Sequence, residues 1–275
     1  MAQNYSYPKG RRGCSEFRVA SAFCGISGKN QVMPVYRDEA IVLRTQRLGE
    51  ADRIVTMLSK QHGQIRAVAK GVRKTSSRLG ARVEPFSHVD LMLANGKSLE
   101  IISQAETIYS YGSQLALDYP KWTAGQAMLE TAEKLTAEGT EPALQQFLLL
   151  VGGLRSLVGA EHDPGLILDA FILRSLAVAG YAPSFADCAI CGEAGPHRAF
   201  SPSAGGMVCA SCRPIGSASP RPQTVELMSA LLTGDWQSAD AAPTASRYES
   251  RTLTAAYLTW QIDRQLRSLR LVERT

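Results

Sequence analysis

Four cysteines carry the clearest chemistry in this sequence, and they occur as two pairs of the form Cys-x-x-Cys. Cys188 and Cys191 form the first pair, and Cys209 and Cys212 form the second after seventeen intervening residues. A two-residue gap lets one tight turn direct two thiolates at the same metal ion, and Zn²⁺ favours four such ligands in a tetrahedron. The spacing therefore predicts a zinc site with these four cysteines as its ligands.

This zinc site is predicted to be structural, because four protein thiolates leave no open position for water or substrate. Two disulfides or four free thiols are the alternatives, and disulfides are disfavoured because the chain otherwise has the character of a cytosolic protein. His197 could replace one cysteine, but four thiolates leave it no position, so we expect a surface histidine. A turn at 202–206 suits a zinc ribbon, which we predict over 185–215.

Length and composition indicate an ordinary globular protein. The chain has 275 residues, 45% of them hydrophobic, and a net charge of +5, which permits an anionic partner without requiring one. Apolar runs such as 147–151 are too short to span a bilayer, and no signal-peptide-like segment follows the N-terminal basic residues. We therefore expect a cytoplasmic protein with no membrane association.

The first 33 residues differ from the rest of the chain. They are rich in Ser, Gly and basic residues and lack a hydrophobic period, so we predict a disordered N-terminal extension over 1–33. A well-patterned strand follows directly after Met33, which makes Met33 a candidate physiological start. Cys14 and Cys24 lie too far along the sequence from the two pairs to be assigned as ligands.

Residues 34–111 carry the pattern of a small β-barrel. Five short runs of apolar and β-branched residues follow one another without a long helix, at 40–45, 53–58, 64–70, 86–93 and 99–104. Asn95 and Gly96 give a strong hairpin-turn signal between the last two runs. We predict a small antiparallel barrel. An OB-fold fits five strands, and an SH3-like barrel fits nearly as well.

The segment between the third and fourth predicted strands is strongly basic. It carries six basic residues and no acidic residue between positions 66 and 82. A mobile loop of this kind can contact phosphate oxygens, and the alternative is a solvated loop that keeps the protein soluble. Tyr36 and Phe86 are the nearby aromatic candidates for stacking on bases, although we favour the core for both. The predicted DNA-binding residues are Arg66, Lys70, Arg73, Lys74, Arg78 and Arg82.

From 112 to 275 the apolar period becomes helical, which makes the predicted fold class α+β with a zinc ribbon inserted in a helical domain. Asp163 and Pro164 predict the start of an apolar, buried helix. Asp169 and Arg174 on this helix are expected to pair with each other or to face the surface.

The last helix is predicted to begin at a capping box, in which Ser246 is the cap and Glu249 lies three residues further. The stretch 234–245 before it is predicted to be a loop. The helix is expected to continue through Leu269, so that arginines at 264, 267 and 270 lie near its C-terminus and complement the helix dipole. A second basic contact surface is the alternative interpretation of these arginines.

Several motifs in the barrel half resemble the bacterial RecO family of DNA repair proteins. They are YRDEAIVL at 36–43, LGEADR at 48–53, KGVRK at 70–74 and SRLGARVEPF at 77–86. The helical half with its two Cys-x-x-Cys pairs is similar to the zinc-bearing members of that family. The resemblance covers about 35–270, and the 1–33 segment departs from it.

This resemblance implies a recombination mediator and not an enzyme. Such proteins bind single- and double-stranded DNA, anneal complementary strands and, with RecR, help load RecA onto DNA coated by single-strand-binding protein. The resemblance also implies an OB-fold DNA-binding domain and a contact between the helical domain and the C-terminal tail of single-strand-binding protein.

The residues themselves disfavour most enzyme classes. The sequence contains no P-loop, no Rossmann glycine pattern and no metalloprotease or zinc-deaminase motif. Two other functions stay open as alternatives. The first is a protein-interaction adaptor that uses the zinc ribbon and touches DNA only incidentally, and the second is a metal-dependent hydrolase without a recognisable motif.

Overall fold

The structure is a computed structural model that describes residues 34–74, 77, 79–96, 98–137, 142–262 and 266–272. These residues belong to one compact unit, Met33–Thr275. The predicted disordered extension, 1–33, lies outside the described residues, so that prediction stays open.

The five predicted strands form a closed barrel in the order β1-β2-β3-β5-β4, which confirms the predicted barrel. Each strand contains one of the predicted apolar runs, and one face of every strand fills the barrel interior. The strands are β1 (Val35–Leu48), β2 (Asp52–Ser59), β3 (Gly63–Ala69), β4 (Ser87–Ala94) and β5 (Glu100–Ser110).

The strand that closes the barrel pairs in parallel, a detail that the antiparallel prediction did not contain. Four neighbouring pairs are antiparallel, whereas β3 and β5 pair in parallel at Ala67–Glu100 and Val68–Ile101. Five strands in a closed ring cannot alternate direction throughout, so at least one neighbouring pair must be parallel. This closure is short, because only two residue pairs form it.

The strand β1 belongs to two hydrophobic cores at once. Its Ala40 and Val42 point into the barrel interior, while Ile41 and Leu43 pack against the helices, and all four are buried. Successive residues of a strand face opposite sides, so one continuous apolar run can serve both cores. The barrel and the helical part are therefore joined by a shared core.

The helical part is built around one central helix, α4, which packs on four others. Asp163 caps it as predicted, since its carboxylate accepts hydrogen bonds from the N–H groups of Gly165 at 2.9 Å and Leu166 at 3.2 Å. The helices are α1 (Tyr111–Leu115), α2 (Tyr119–Leu135), α3 (Leu144–Gly159), α4 (Pro164–Val178), α5 (Pro222–Thr233), α6 (Trp236–Asp240), α7 (Thr244–Gln261) and α8 (Leu269–Val272).

The C-terminal helix differs from its prediction at both ends. The helix α7 begins at Thr244 and ends at Gln261, so the predicted extension through Leu269 is wrong. A separate short helix, α8, begins at Leu269. The capping box is also wrong, because Glu249 accepts a hydrogen bond from Thr224 Oγ1 at 2.5 Å. Glu249 therefore bonds a residue of another helix and not the first turn of its own. The stretch 234–245, which was predicted to be a loop, contains α6.

None of the described helices has the length and apolar character needed to cross a bilayer.

Candidate metal centre and basic surface

The four cysteines are carried by a small two-stranded ribbon. Its strands, β6 (Ala199–Ser201) and β7 (Gly206–Val208), pair antiparallel around a 3₁₀ turn at Pro202–Ala204. Gly206 has φ +148°, and a Cβ there would collide with the backbone of Ser184, so this close approach requires glycine. The turn predicted from the sequence at 202–206 is the one that closes the ribbon.

Backbone hydrogen bonds shape the first cysteine turn. The N–H of Gly192 donates to the Cys188 carbonyl at 2.9 Å, and the N–H of Cys188 donates to the Glu193 carbonyl at 2.8 Å. The N–H of Cys209 points at Cys188 Sγ, 3.4 Å away, and so links the two pairs. These bonds hold the first cysteine turn in place and bring the Cys209 backbone next to Cys188 Sγ.

All four sulfur atoms converge on one point. They lie within 4.8 Å of one another, and Cys191 Sγ is 3.8 Å from Cys209 Sγ. A tetrahedral ZnS₄ site with bonds of about 2.3 Å has sulfur–sulfur edges of about 3.8 Å, whereas a disulfide needs about 2.05 Å. All four cysteines are free thiols, so the geometry fits a shared metal ion and not two disulfides.

Electrostatics also favour a cation at this point. Backbone N–H groups of Cys191 and Cys209 lower the pKa of Cys188 to about 6. Hydrogen bonds with the sulfur atoms of Cys209 and Cys191 raise the pKa of Cys212 to about 12, because neighbouring sulfurs resist a further negative charge. A positive ion among the four sulfurs would offset this repulsion. His197 stays outside the cluster and bonds the Glu193 carbonyl at 2.8 Å.

Three of the predicted DNA-binding residues are free cations on the barrel surface. Arg66 lies on β3 and points outward, because its neighbours Ile65 and Ala67 fill the barrel interior. Lys70 follows the end of β3, and Lys74 lies in the next turn. All three are exposed and have no hydrogen-bond or ion-pair partner among the residues that the structure describes.

Two other predicted residues also have a structural role. Arg73 donates from Nη1 to the Glu50 carbonyl at 2.9 Å, and Arg82 donates from Nη1 to the Ala105 carbonyl at 2.8 Å. Both side chains remain exposed, so each can present a charge while it anchors the segment. Arg78 lies outside the described residues.

The described parts of the basic segment, near its two ends, contact the barrel, and the mobility of the loop stays a prediction. Gly71 donates its N–H to Asp52 Oδ1 at 2.7 Å, and Glu84 forms an ion pair with Arg53. Val72 and Val83 are buried in the barrel core. These two valines are the sequence signal that could have predicted anchoring in an otherwise polar stretch.

Neither aromatic candidate for base stacking has a freely exposed ring. Phe86 is fully buried and packs on Trp122, with ring centroids 4.8 Å apart. Tyr36 is half-buried, hydrogen-bonds to Glu100 and lies 4.5 Å from the His62 ring. The expectation that both belong to the core holds for Phe86 and in part for Tyr36.

Comparison with known families agrees with this two-part organisation. A family model described as "Recombination protein O N terminal" matches residues 33–111, and one described as "Recombination protein O C terminal" matches residues 116–270. Together with the closed barrel β1-β2-β3-β5-β4, this defines a recombination-protein class whose N-terminal domain is an OB-fold.

Curated relatives give the same family. The chain is 61% identical over 242 residues to a DNA repair protein RecO of Thermobifida fusca, with 88% of this chain and 100% of the relative covered. It is 60% identical to one of a Nocardioides species and 56% identical to one of Streptomyces coelicolor, each covered over its full length, with 87% and 88% of this chain. The chain belongs to the RecO family of DNA repair proteins.

Proposed function

We propose that this protein is a recombination mediator that binds single- and double-stranded DNA and anneals complementary strands. With RecR it would help load RecA onto DNA coated by single-strand-binding protein. Family membership supports this proposal, and so does the chemistry of the barrel surface. The proposal places the protein in the cytoplasm, on the nucleoid when it is bound to DNA.

The observation that carries the proposal is the set of unpaired cations on the outer side of β3 and beyond it. Arg66, Lys70 and Lys74 have no acidic partner among the described residues, so their charges are available to phosphates. Such contacts release condensed counterions and do not read bases, which gives sequence-independent binding that weakens with salt. Annealing needs this property, because two polyanions must approach each other.

We propose that the cysteine cluster holds one structural Zn²⁺ ion, with Cys188, Cys191, Cys209 and Cys212 as its ligands. The sulfur spacing and the absence of disulfides among these four residues support this assignment. A metal with four thiolate ligands has no position for a reacting group, so its role is to stabilise the ribbon. The proposed activity requires no covalent chemistry, and we propose that the protein is not an enzyme.

RecR and the C-terminal tail of single-strand-binding protein are the partners that this function requires. A protein-interaction adaptor stays the second candidate function, because the ribbon presents two bare apolar side chains. Ile190 lies between the first two cysteines and is more than half exposed, and Ile215 is fully exposed. Both side chains are accessible to a partner protein.

The experiment that tests the proposal is a fluorescence-anisotropy titration of labelled single-stranded DNA over a salt series, combined with an annealing assay on complementary strands. We expect binding that is independent of sequence, weakens with salt and accelerates annealing. A protein that binds no single-stranded DNA at low salt would contradict the mediator function. Full recruitment of RecR by such a protein would then favour the adaptor.

A further inference from the structure

A groove of 870 Å³ lies where the barrel meets the helical part. Its lining does not include any residue of the β3 surface, which consists of Arg66, Lys70 and Lys74. Its barrel side is formed by 43–45 on β1 and by Pro85, which ends the basic segment. Its helical side is formed by α2 from Trp122 to Lys134, and its rim by Arg267, Ser268 and Leu271 at α8. This volume lies in the range of pockets that hold small organic ligands.

The two acidic side chains in this groove already accept hydrogen bonds from other residues. Glu133 accepts hydrogen bonds from Arg44, at 3.0 Å from Nε and 2.7 Å from Nη2. Glu130 accepts hydrogen bonds from the N–H groups of Arg267 at 3.0 Å and Ser268 at 2.8 Å. Glu130 keeps its negative charge, so the described lining of the groove carries three cations against two carboxylates.

Two cations remain without a partner in the described part of the chain. They are the side chains of Lys134 on α2 and Arg267 just before α8. Because α7 ends at Gln261, Arg267 does not lie at the C-terminus of that helix, so the helix dipole gives no reason for its charge. Trp122, near the other end of α2, and the exposed Leu271 add apolar surface to the groove lining.

The groove is separated from the β3 surface by a buried strip. The strand register aligns Arg44, Thr56 and Arg66 in one row across β1, β2 and β3. Thr56, in the middle of the row, is only 2% exposed, so the two arginines lie on opposite sides of a covered position. Two inter-strand spacings place their backbones about 10 Å apart.

We propose that this groove is a second binding site for single-stranded DNA and that it holds the complementary strand during annealing. Phosphates would contact Lys134 and Arg267, and a base would lie against Trp122, since cations combined with an aromatic face are the usual chemistry for binding unpaired strands. The Arg44 edge of the groove lies about 10 Å from the Arg66 backbone, so two strands could be held close without both entering one site. This inference rests on the proposed annealing function.

The test is a ternary-binding experiment. The protein is first saturated with one unlabelled oligonucleotide, and a labelled, non-complementary second strand is then titrated in. We expect Lys134→Gln/Arg267→Gln to weaken capture of the second strand at least about tenfold and to slow annealing by a similar factor. The backbone N–H groups that bind Glu130 remain in this variant, so its fold is retained. Unchanged capture and annealing would overturn the inference.

A spectroscopic readout reports on the groove directly. The chain has three tryptophans, so Trp236→Phe/Trp260→Phe leaves Trp122 as the single fluorophore. We expect the second strand to quench this fluorescence in that background, and Lys134→Gln/Arg267→Gln to remove the quenching. If an acidic peptide of matched charge quenches Trp122 and the second strand does not, the groove is a peptide site and the inference is wrong.

The two levels of the account fail in different ways. If the unmodified protein binds no single-stranded DNA, the proposed function fails and the groove experiment has no basis. If it binds and anneals DNA, but the groove variant does the same at the same rate, only the inference about the groove fails.

Discussion

The cysteine ribbon and the basic surface are two candidate sites built in opposite ways. The ribbon gathers four sulfur atoms within 4.8 Å, through turns that are local in sequence. The basic surface spreads its charges along β3 and the segment that follows, and part of that segment is fixed by contacts with the β1–β2 turn and with β5. The first site is a point that binds one ion, and the second is an area that suits an extended polyanion.

The difference shows which information each site needs. Two-residue spacing and a glycine turn suffice to converge four thiolates, so local sequence specifies the ribbon. The exposure of Arg66 depends on barrel closure. The positions of Arg73 and Arg82 depend on two distant carbonyl groups, one in the turn between β1 and β2 and one on β5. Loss of a single ribbon ligand should therefore be severe, whereas loss of one surface cation should be mild.

The largest expected effect comes from Cys188→Ser. One missing thiolate leaves the site with three ligands, and structural zinc contributes apparent binding energies of about 10–16 kcal/mol in small zinc-binding peptides. We expect loss of the bound metal by mass spectrometry of the native protein and a lower melting temperature. Rapid proteolysis within 185–215 should accompany it.

The chain supplies its own control for this prediction. Cys14→Ser/Cys24→Ser removes the two cysteines that do not belong to a Cys-x-x-Cys pair, and this variant should keep its metal and its melting temperature. If Cys188→Ser keeps one zinc per chain and melts like the unmodified protein, the contrast between the cysteine ribbon and the basic surface is wrong.

The second expected effect concerns the helical core and neither of the two sites. Burial raises the pKa of Asp169 to about 7 from its ordinary 3.8. A carboxyl whose folded-state pKa is raised stabilises the fold fully below pH 4, and this stability is lost as the pH rises through 7. The loss is at most about 1.4 kcal/mol per pH unit.

The neutral isostere Asp169→Asn should remove this pH dependence. Urea unfolding at pH 5 and pH 8 should show the variant gaining stability relative to the unmodified protein as the pH rises. Parallel pH profiles for the two proteins would contradict the assignment and would place the pH dependence elsewhere.

The third effect tests whether long-range packing positions the end of the basic segment. A Cβ on Gly125 would lie 2.8 Å from Phe86 Cε1, and Phe86 is buried with φ +70°. We expect Gly125→Ala to destabilise the protein by about 1–2 kcal/mol through overpacking in chemical denaturation.

The matched control is Gly152→Ala, where an added Cβ meets nothing within 4 Å. Alanine favours a helix by up to about 1 kcal/mol over glycine, so this variant should be as stable as the unmodified protein or more stable. Equal destabilisation by the two substitutions would exclude Phe86 as the cause.

Sequence patterns predicted the parts of the fold that depend on local chemistry. The alternation in 64–70 predicted β3, the Asp163 cap predicted the start of α4, and the cysteine spacing predicted a cluster that the structure assembles. Each depends on residues close together in the chain, so a single sequence contains the necessary information.

The failures occurred where a distant partner changed the role of a residue. Glu249 has the spacing of a capping box, yet it bonds Thr224 on another helix. Asp169 was expected to pair with Arg174 or to face the surface, but it is buried, and its nearest hydrogen bond is a 3.3 Å contact from Ser250 Oγ. Arg174 instead donates to the Leu231 carbonyl and lies over Trp236. Sequence spacing alone carries no information about such partners.

The most direct test of the central claim is the salt dependence of single-stranded DNA binding for two triple variants with equal loss of charge. The first, Arg66→Gln/Lys70→Gln/Lys74→Gln, removes the free cations of the barrel surface. The control, Lys121→Gln/Arg155→Gln/Arg198→Gln, removes three cations elsewhere on the described chain.

We predict that the slope of log K against log salt falls in magnitude by about 2 for the first variant, at about 0.7 per lost phosphate contact, and stays unchanged for the control. Equal slopes for the unmodified protein and both variants would contradict the assignment of this surface to DNA.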